Sequence, residues 1–365
     1  METRKSSVEK MVIDQKFWKG KKVLLTGHTG FKGSWMSLWL QKLGVDLVGF
    51  SKSVPTEPSL FKIAQIEDNM ESVMGNVCDF KKLSSTIDQF KPEIIIHMAA
   101  QSLVLKSYEN PLETFSTNVM GTVNLLESVR STVKNNCIII NITSDKCYDN
   151  SISVVPHKES DPMGGFDPYS SSKGCAELIT SSFQKSFFNS NNSSNIALAS
   201  VRAGNVIGGG DWSENRLIPD IMNSKLQNKT IKIRNPNSIR PWQHVLDPLH
   251  GYLLLAEQMW KNKSKFSEPW NFGPSVEKSK SVSWIVEKLT KLWGDGQWEI
   301  DSKKNQYESP LLLLDSSKSN THLNWESKID IDLALKWIVD WYKEFQNNKD
   351  MKQFTEFQIE SFSKL

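Results

Sequence analysis

A glycine-rich turn between an apolar strand pattern and an amphipathic helix pattern constrains this chain more than any other feature. The run Lys22 to Thr26 is short and apolar, and it leads into Thr26-Gly27-His28-Thr29-Gly30-Phe31-Lys32-Gly33. From Ser34 to Leu43 the residues Trp35, Leu38, Trp39 and Leu43 fall at helical spacing, and Gly44 stops the pattern. Glycines so spaced let the backbone approach a pyrophosphate, which the amides and positive end of the helix then hold. Gly27, Thr29, Gly30, Phe31, Lys32 and Gly33 are therefore expected to cradle a dinucleotide.

The alternation continues downstream. Asp46 to Phe50, Ile94 to His97, Cys137 to Thr143 and Ile196 to Arg202 are short apolar runs bounded by turn residues, the pattern of strands buried on both faces. Between them, Pro111 to Ser131 begins on a proline suited to a first helical turn. Strands alternating with helices predict an α/β fold, a Rossmann-type doubly wound parallel sheet. Past Arg202 the pattern is less regular, with Gly208-Gly209-Gly210, Asn235-Pro236-Asn237 and tryptophans at 293 and 298. That portion is expected to form a smaller C-terminal α/β substrate-binding domain. The expected division is 20–205 for the dinucleotide-binding domain with a later contribution from 243–274, then 206–242 and 275–345 for the second domain. Residues 1–19 and 346–365 are terminal extensions, and Asn189 to Asn195 is a surface loop.

With 38% hydrophobic residues in 365, the chain has the composition of a globular protein. Its net charge of +3 is spread along the sequence, which favours a solvated surface over nucleic-acid binding while leaving anionic small molecules as ligands. The four cysteines lack C-x-x-C spacing, so reduced thiols and no metal site are expected. No apolar stretch approaches the roughly 18 residues of a membrane span, and a cytoplasmic location is expected.

The chemistry-bearing residues lie in Asn141-Ile142-Thr143-Ser144-Asp145-Lys146-Cys147-Tyr148 and Tyr169-Ser170-Ser171-Ser172-Lys173. Tyr169 and Lys173, four apart, share a helix face. A phenol with an ordinary pKa of about 10 serves as a base near neutrality when a cation favours its phenolate, and Lys173 can supply that charge. Ser144, at a strand end beside that helix, can bridge to the reacting oxygen. The second strand ends Gly49-Phe50-Ser51-Lys52 without the acidic residue that usually accepts from the adenosine ribose. Lys52 suits either a 2′-phosphate or solvent, and Asp79, after the third apolar run Ser72 to Val77, either the adenine edge or a helix cap.

Thr26 to Gly33, His97-Met98-Ala99-Ala100-Gln101, Asn118-Val119-Met120-Gly121-Thr122, Tyr169 and Lys173 resemble the extended short-chain dehydrogenase/reductase superfamily. Within it, Thr143 to Tyr148, Pro168 to Glu177, Arg202 to Trp212, Arg240 to Val245 and Trp270 to Pro274 resemble the CDP-glucose 4,6-dehydratase family. The resemblance implies NAD as a tightly held cofactor and a CDP-glucose substrate oxidised at C4, dehydrated across C5 and C6, and reduced at C6. It implies that Tyr169 takes the C4 hydroxyl proton with Ser144 assisting, and that Asp145 protonates the departing C6 oxygen. Lys146 acts at C5, either as base or as electrostatic partner of the developing enolate. It places Ala99, Ala100 and Asn118 with Asp79 at the cofactor, and Gln101, Asn205, Arg216, Arg240, His244 and Tyr307 at the sugar nucleotide, with Trp242 either in that pocket or in the core. Lys173 would also hold the nicotinamide ribose. A homodimer through a four-helix bundle of Pro111 to Ser131 and Tyr169 to Ser186, or a higher homo-oligomer, is implied as well. The sequence departs from the family pattern at Leu105, Lys106, Phe166, Tyr307 and Asn324, which bears on substrate preference and leaves Ser144, Asp145, Lys146, Tyr169 and Lys173 untouched. A 4-epimerase would use the same cofactor and Tyr/Lys pair without needing Asp145 and Lys146.

Overall fold

The computed structural model describes residues 12–149, 155–189, 195–294, 296–301 and 312–365. Seven strands, β1 (Lys22–Thr26), β2 (Asp46–Ser51), β3 (Glu71–Met74), β4 (Ile94–His97), β5 (Cys137–Ile142), β6 (Ile196–Arg202) and β7 (Trp270–Asn271), form one parallel sheet in the order β7-β6-β5-β4-β1-β2-β3. Side chains alternate across each strand, so Ile94, Ile96, Ile138 and Ile140 enter one core while Ile95 and Ile139 enter the other. Both faces are covered, which is why these strands lack polar alternation. Helix α1 (Phe31–Lys42) lies on the first face. On the second lie α2 (Phe80–Phe90), α3 (Gly121–Thr132) and α4 (Pro168–Ser186). The strand order reverses between β1 and β4, and the crevice at their carboxyl ends is where such sheets hold ligands.

The remaining chain builds a smaller α/β layer. Val206–Ile207 pairs with Gln243–His244, Ile231–Ile233 with Trp298–Ile300, and Ile239–Arg240 with Lys280–Ser281. Around them pack α5 (Leu217–Leu226), α6 (Leu246–Lys261), α7 (Val282–Trp293) and α8 (Ile331–Gln346). Residues 346–365, expected as a terminal extension, contain α9 (Met351–Ser363), whose Phe362 is buried edge-on against Trp39 of α1.

Three boundaries differ from the sequence expectation. Helix α1 starts at Phe31 rather than Ser34, because Gly30 already stands in extended backbone as its N-cap. The third strand is Glu71–Met74 rather than a run to Val77. The stretch from Pro111 is helical to Thr132 but includes a π-type turn at Ser116–Met120. Its Asn118 side chain accepts from the Gln101 amide and donates to the Gln101 carbonyl and the Ser172 hydroxyl, ties that hold the wider turn against neighbouring chain.

Candidate active site

The turn after β1 is built for close approach. Gly27 has φ +75°, and a Cβ there would lie 2.8 Å from the Ala99 nitrogen; a Cβ on Gly33 would lie 2.1 Å from the Gly27 carbonyl oxygen. Thr26 Oγ1 sits 2.6 Å from His97 Nδ1 and accepts from the Ala99 amide at 3.1 Å, joining the carboxyl ends of β1 and β4. The His28 ring lies between Ser51 Oγ and Ser72 Oγ, each at 2.8 Å, and burial pushes its pKa down to about 4, so it is neutral. Thr29 Oγ1 donates to the Ser53 carbonyl at 2.7 Å. A shallow glycine cradle at the start of a twelve-residue helix fits a pyrophosphate. Asp79 accepts from the Lys82 amide as the cap of α2, and Lys52 pairs with Glu113 at 3.1 Å.

The reacting groups gather where β5 ends. Asp167 accepts from the Ser170 amide, Pro168 opens α4, and the Tyr169 amide donates to Ser107 Oγ, so α4 enters with Tyr169 buried at its first turn. Ser144 Oγ donates to Asp145 Oδ1 at 3.0 Å and accepts from the Lys146 amide at 3.3 Å. Burial pushes the Asp145 carboxyl above the usual carboxylate range, against the opposing pull of Lys146, the Ser144 hydroxyl and Arg240. Burial likewise raises Tyr169 to about 12, with the Ser144 hydroxyl and Arg216 favouring the phenolate. Lys32 is lowered to about 7 by burial, then by the like charges of Lys173 and Arg216, and Asp145 opposes this. Lys173, Arg216 and Asp145 act on Lys32, Arg216 and Asp145 act on Tyr169, and Lys146 and Arg240 act on Asp145, so these groups lie within electrostatic reach of one another.

Lys173 Nζ donates to the Ile142 carbonyl at 3.2 Å, and burial lowers its pKa to about 8. The positive charge of Arg216 favours the Tyr169 phenolate. A four-residue helical step brings Lys173 to the face of Tyr169, and its long side chain reaches the end of β5.

Other expected site residues divide. Arg216 reaches Ser102 Oγ at 3.1 Å and Asp211 at 3.4 Å, and Arg240 and Asn205 are half-buried, Asn205 with φ +45°. Ala99 and Ala100 follow β4 directly and are half-buried. Gln101 is bonded within its own neighbourhood: its side-chain amide donates to Leu103 O and Thr114 Oγ1 and accepts from the Leu103 amide. His244 is fully buried, packed edge-on to Trp35 and Trp337, and burial lowers it to about 3. It is a core imidazole, not a pocket wall, because its strand runs inward beneath α1. Trp242 is also buried, its indole donating to the Lys280 carbonyl. Tyr307 lies outside the described residues, as does most of the expected loop at Asn189 to Asn195. Asn324 takes φ +46° at the end of the helix Ser317–Leu323, a left-handed position open to asparagine as to glycine.

Sequence reasoning overlooked four residues. A Cβ on Gly204 would lie 1.9 Å from Asp145 Oδ2, so only glycine admits that carboxylate. Glu177, Arg202 and Tyr148 form a buried cluster beneath the Ser144–Lys146 turn. Glu177 alone carried a local signal, standing four residues after Lys173 on the same helix face.

The chain is 54% identical to the CDP-glucose 4,6-dehydratase of Salmonella typhimurium over 343 residues, covering 93% of this chain and 95% of that one. It is 24% identical to the UDP-glucose 4-epimerase of Mycoplasma pneumoniae over 89% of this chain and 98% of the relative. The crystal structure of dTDP-glucose 4,6-dehydratase from Bacillus anthracis in complex with NAD superposes with a TM-score of 0.74 at 22% identity, covering 91% of this chain and 100% of that one. The family model for GDP-mannose 4,6 dehydratase matches residues 24–337. On that match and the 54% identity, the chain belongs to the sugar-nucleotide 4,6-dehydratase family of the extended short-chain dehydrogenase/reductases.

Proposed function

We propose that the protein is an NAD-dependent CDP-glucose 4,6-dehydratase. The observation that carries the reading is the buried Asp145 carboxyl beside Ser144, which donates to it at 3.0 Å, with burial favouring its protonated form. An elimination needs a proton donor for the departing oxygen, whereas a 4-epimerase needs none there. The 54% identity to a CDP-glucose dehydratase supports the nucleotide, and the glycine cradle supports a dinucleotide. NAD, when bound, supplies the acceptor and donor for a hydride that leaves sugar C4 and returns to C6.

The chain's own residues then divide the remaining work. Gly27, Gly33 and the first turn of α1 hold the pyrophosphate. Tyr169 takes the C4 hydroxyl proton while Ser144 holds the same oxygen. Oxidation at C4 acidifies C5, Lys146 acts on that proton or on the enolate charge, and Asp145 delivers its proton to the C6 oxygen as water leaves. Arg216 and Arg240 neutralise the diphosphate beside Asn205. Cytoplasmic location and assembly as a homodimer complete the proposal; among the described residues no helix is long and apolar enough to cross a membrane.

The test is mass spectrometry of purified protein with CDP-glucose, run beside dTDP-, UDP- and GDP-glucose, with and without added NAD. Loss of one water from CDP-glucose without net NADH accumulation is expected. Loss from a different nucleotide sugar corrects the substrate, and an unchanged mass with an altered sugar on chromatography replaces the dehydratase by an epimerase.

A further inference from the structure

Both ends of the segment carrying Ser144, Asp145 and Lys146 are fastened to one buried ion pair. Glu177 of α4 and Arg202 at the end of β6 meet at 2.7 Å, each side chain 4% exposed. At the leading end, Thr143 Oγ1 donates to Glu177 Oε1. At the trailing end, Tyr148 Oη accepts from Arg202 Nη1 at 2.5 Å and donates to Asn271 Oδ1 of β7 at 2.7 Å, with the guanidinium 4.8 Å from the phenol ring centre. Ser200 Oγ gives Glu177 a further donor at 2.7 Å. Burial opposes the Glu177 charge, but Arg202 and the hydroxyls of Thr143 and Ser200 outweigh it and hold the carboxyl below its ordinary range.

Apart from the Gly164 amide, which donates to the Cys147 carbonyl at 2.8 Å after Lys146, the backbone bonds of the turn are long. Asp145 N reaches the Ala203 carbonyl at 3.4 Å, Cys147 N the Ser144 carbonyl at 3.3 Å and Tyr148 N the Asp145 carbonyl at 3.4 Å. Bonds this long hold weakly, so the geometry of Asp145 and Lys146 depends on the side chains that pin the flanking residues. Tyr169 and Lys173 are held separately, by the regular backbone of α4, its Asp167 cap, and the Ser107 and Ile142 contacts. A buried ion pair contributes little net stability over apolar packing, which makes fixed geometry the better account of its presence.

We infer that the Glu177–Arg202 pair, acting through Thr143 and Tyr148, is a positioning group that fixes Asp145 and Lys146 for the elimination step, while Tyr169, the base of C4 oxidation, is held by α4. The inference rests on the dehydratase reading.

Two variants test it in the NAD-loaded enzyme. Tyr148→Phe removes the hydroxyl and keeps the ring over Arg202. Thr143→Val removes only the Oγ1 contacts, since its backbone bond to the Val201 carbonyl at 2.9 Å stays. Single-turnover absorbance follows NADH formation and decay on mixing with CDP-glucose, and quenched samples distinguish the 4-keto sugar from its dehydrated product. NADH formation, in which Ser144 only assists Tyr169, is expected to slow much less than NADH decay, which slows about tenfold or more because small misplacements of a catalytic group have effects of that order. Thr143→Val leaves the ion pair intact, so it carries the test alone if Tyr148→Phe does not fold. Equal slowing of both phases, or no change in either, overturns the inference while the dehydratase reading stands. A wild-type enzyme that dehydrates no nucleotide sugar overturns the reading and the inference with it.

Discussion

A carboxyl that delivers a proton has to keep it until the leaving group needs it, and burial favours the protonated form of Asp145. Its raised pKa carries the protonated fraction upward in pH, so product formation should fall as pH rises through that value. The alkaline limb should disappear in Asp145→Asn, and that variant should turn over about 10²- to 10⁴-fold more slowly, as loss of a general acid entails. A pH series of product formation in both proteins checks the sign. Gly204→Ala should act on the same proton, because the new Cβ would meet Asp145 Oδ2 at 1.9 Å; the expected result is lost dehydration in a protein whose circular dichroism is unchanged. Tyr169→Phe removes the base, and unchanged turnover in it would refute the catalytic assignment. Tyr169 and Lys173 were legible in sequence because four residues along a helix fix a shared face. The Gly204–Asp145 approach was not, since it joins strand ends distant along the chain. The directions of Gln101 and His244 were not legible for a related reason: a polar side chain does not declare which way it points, and here one bonds its own loop while the other is packed between tryptophans.

At the scale of elements, the strands were legible because each is buried on both faces and so reads as an unbroken apolar run. The π-type turn at Ser116–Met120 was not, since it depends on Asn118 meeting Gln101 and Ser172 from other segments. The most consequential unread element is α9. Phe362 is fully buried against Trp39 and His250, and Lys42 of α1 pairs with Glu360 at 2.6 Å. The last helix therefore covers the outer side of the helix that begins at the phosphate turn. Phe362→Ala removes a large buried ring and leaves a cavity, which should cost about 3–5 kcal/mol of stability. Urea denaturation should show a lower midpoint with little change in slope. A loss within error would mean that α9 is only loosely applied to α1.

At the scale of the molecule, the side of the dinucleotide-binding part formed by α3, α4 and the segment from Pro111 presents apolar side chains that this chain does not cover. Leu112 is 77% exposed, Met120 50%, Leu178 62% and Phe187 43%. Isolated exposed apolar residues are ordinary on a protein surface. Leu112, Met120 and Leu178 lie on the helical segments that the family resemblance pairs into a four-helix bundle, Phe187 directly follows the second, and a symmetric interface would cover each of them twice. On the proposed pairing the native chain should sediment as a dimer, and Leu112 and Leu178 changed together to glutamate should yield monomers in sedimentation velocity, because an interface of this kind does not tolerate unpaired buried charge. Tyr169 and Lys173 are on α4 too, so the same variant should also lose turnover if pairing steadies that helix, and dilution of the native enzyme below its dissociation constant should lower specific activity in parallel. A native chain that sediments as a monomer at every concentration would remove the bundle from the account. The site's chemistry would then rest on one chain, in which α4 is steadied by its Asp167 cap, the Ser107 and Ile142 contacts and the sheet.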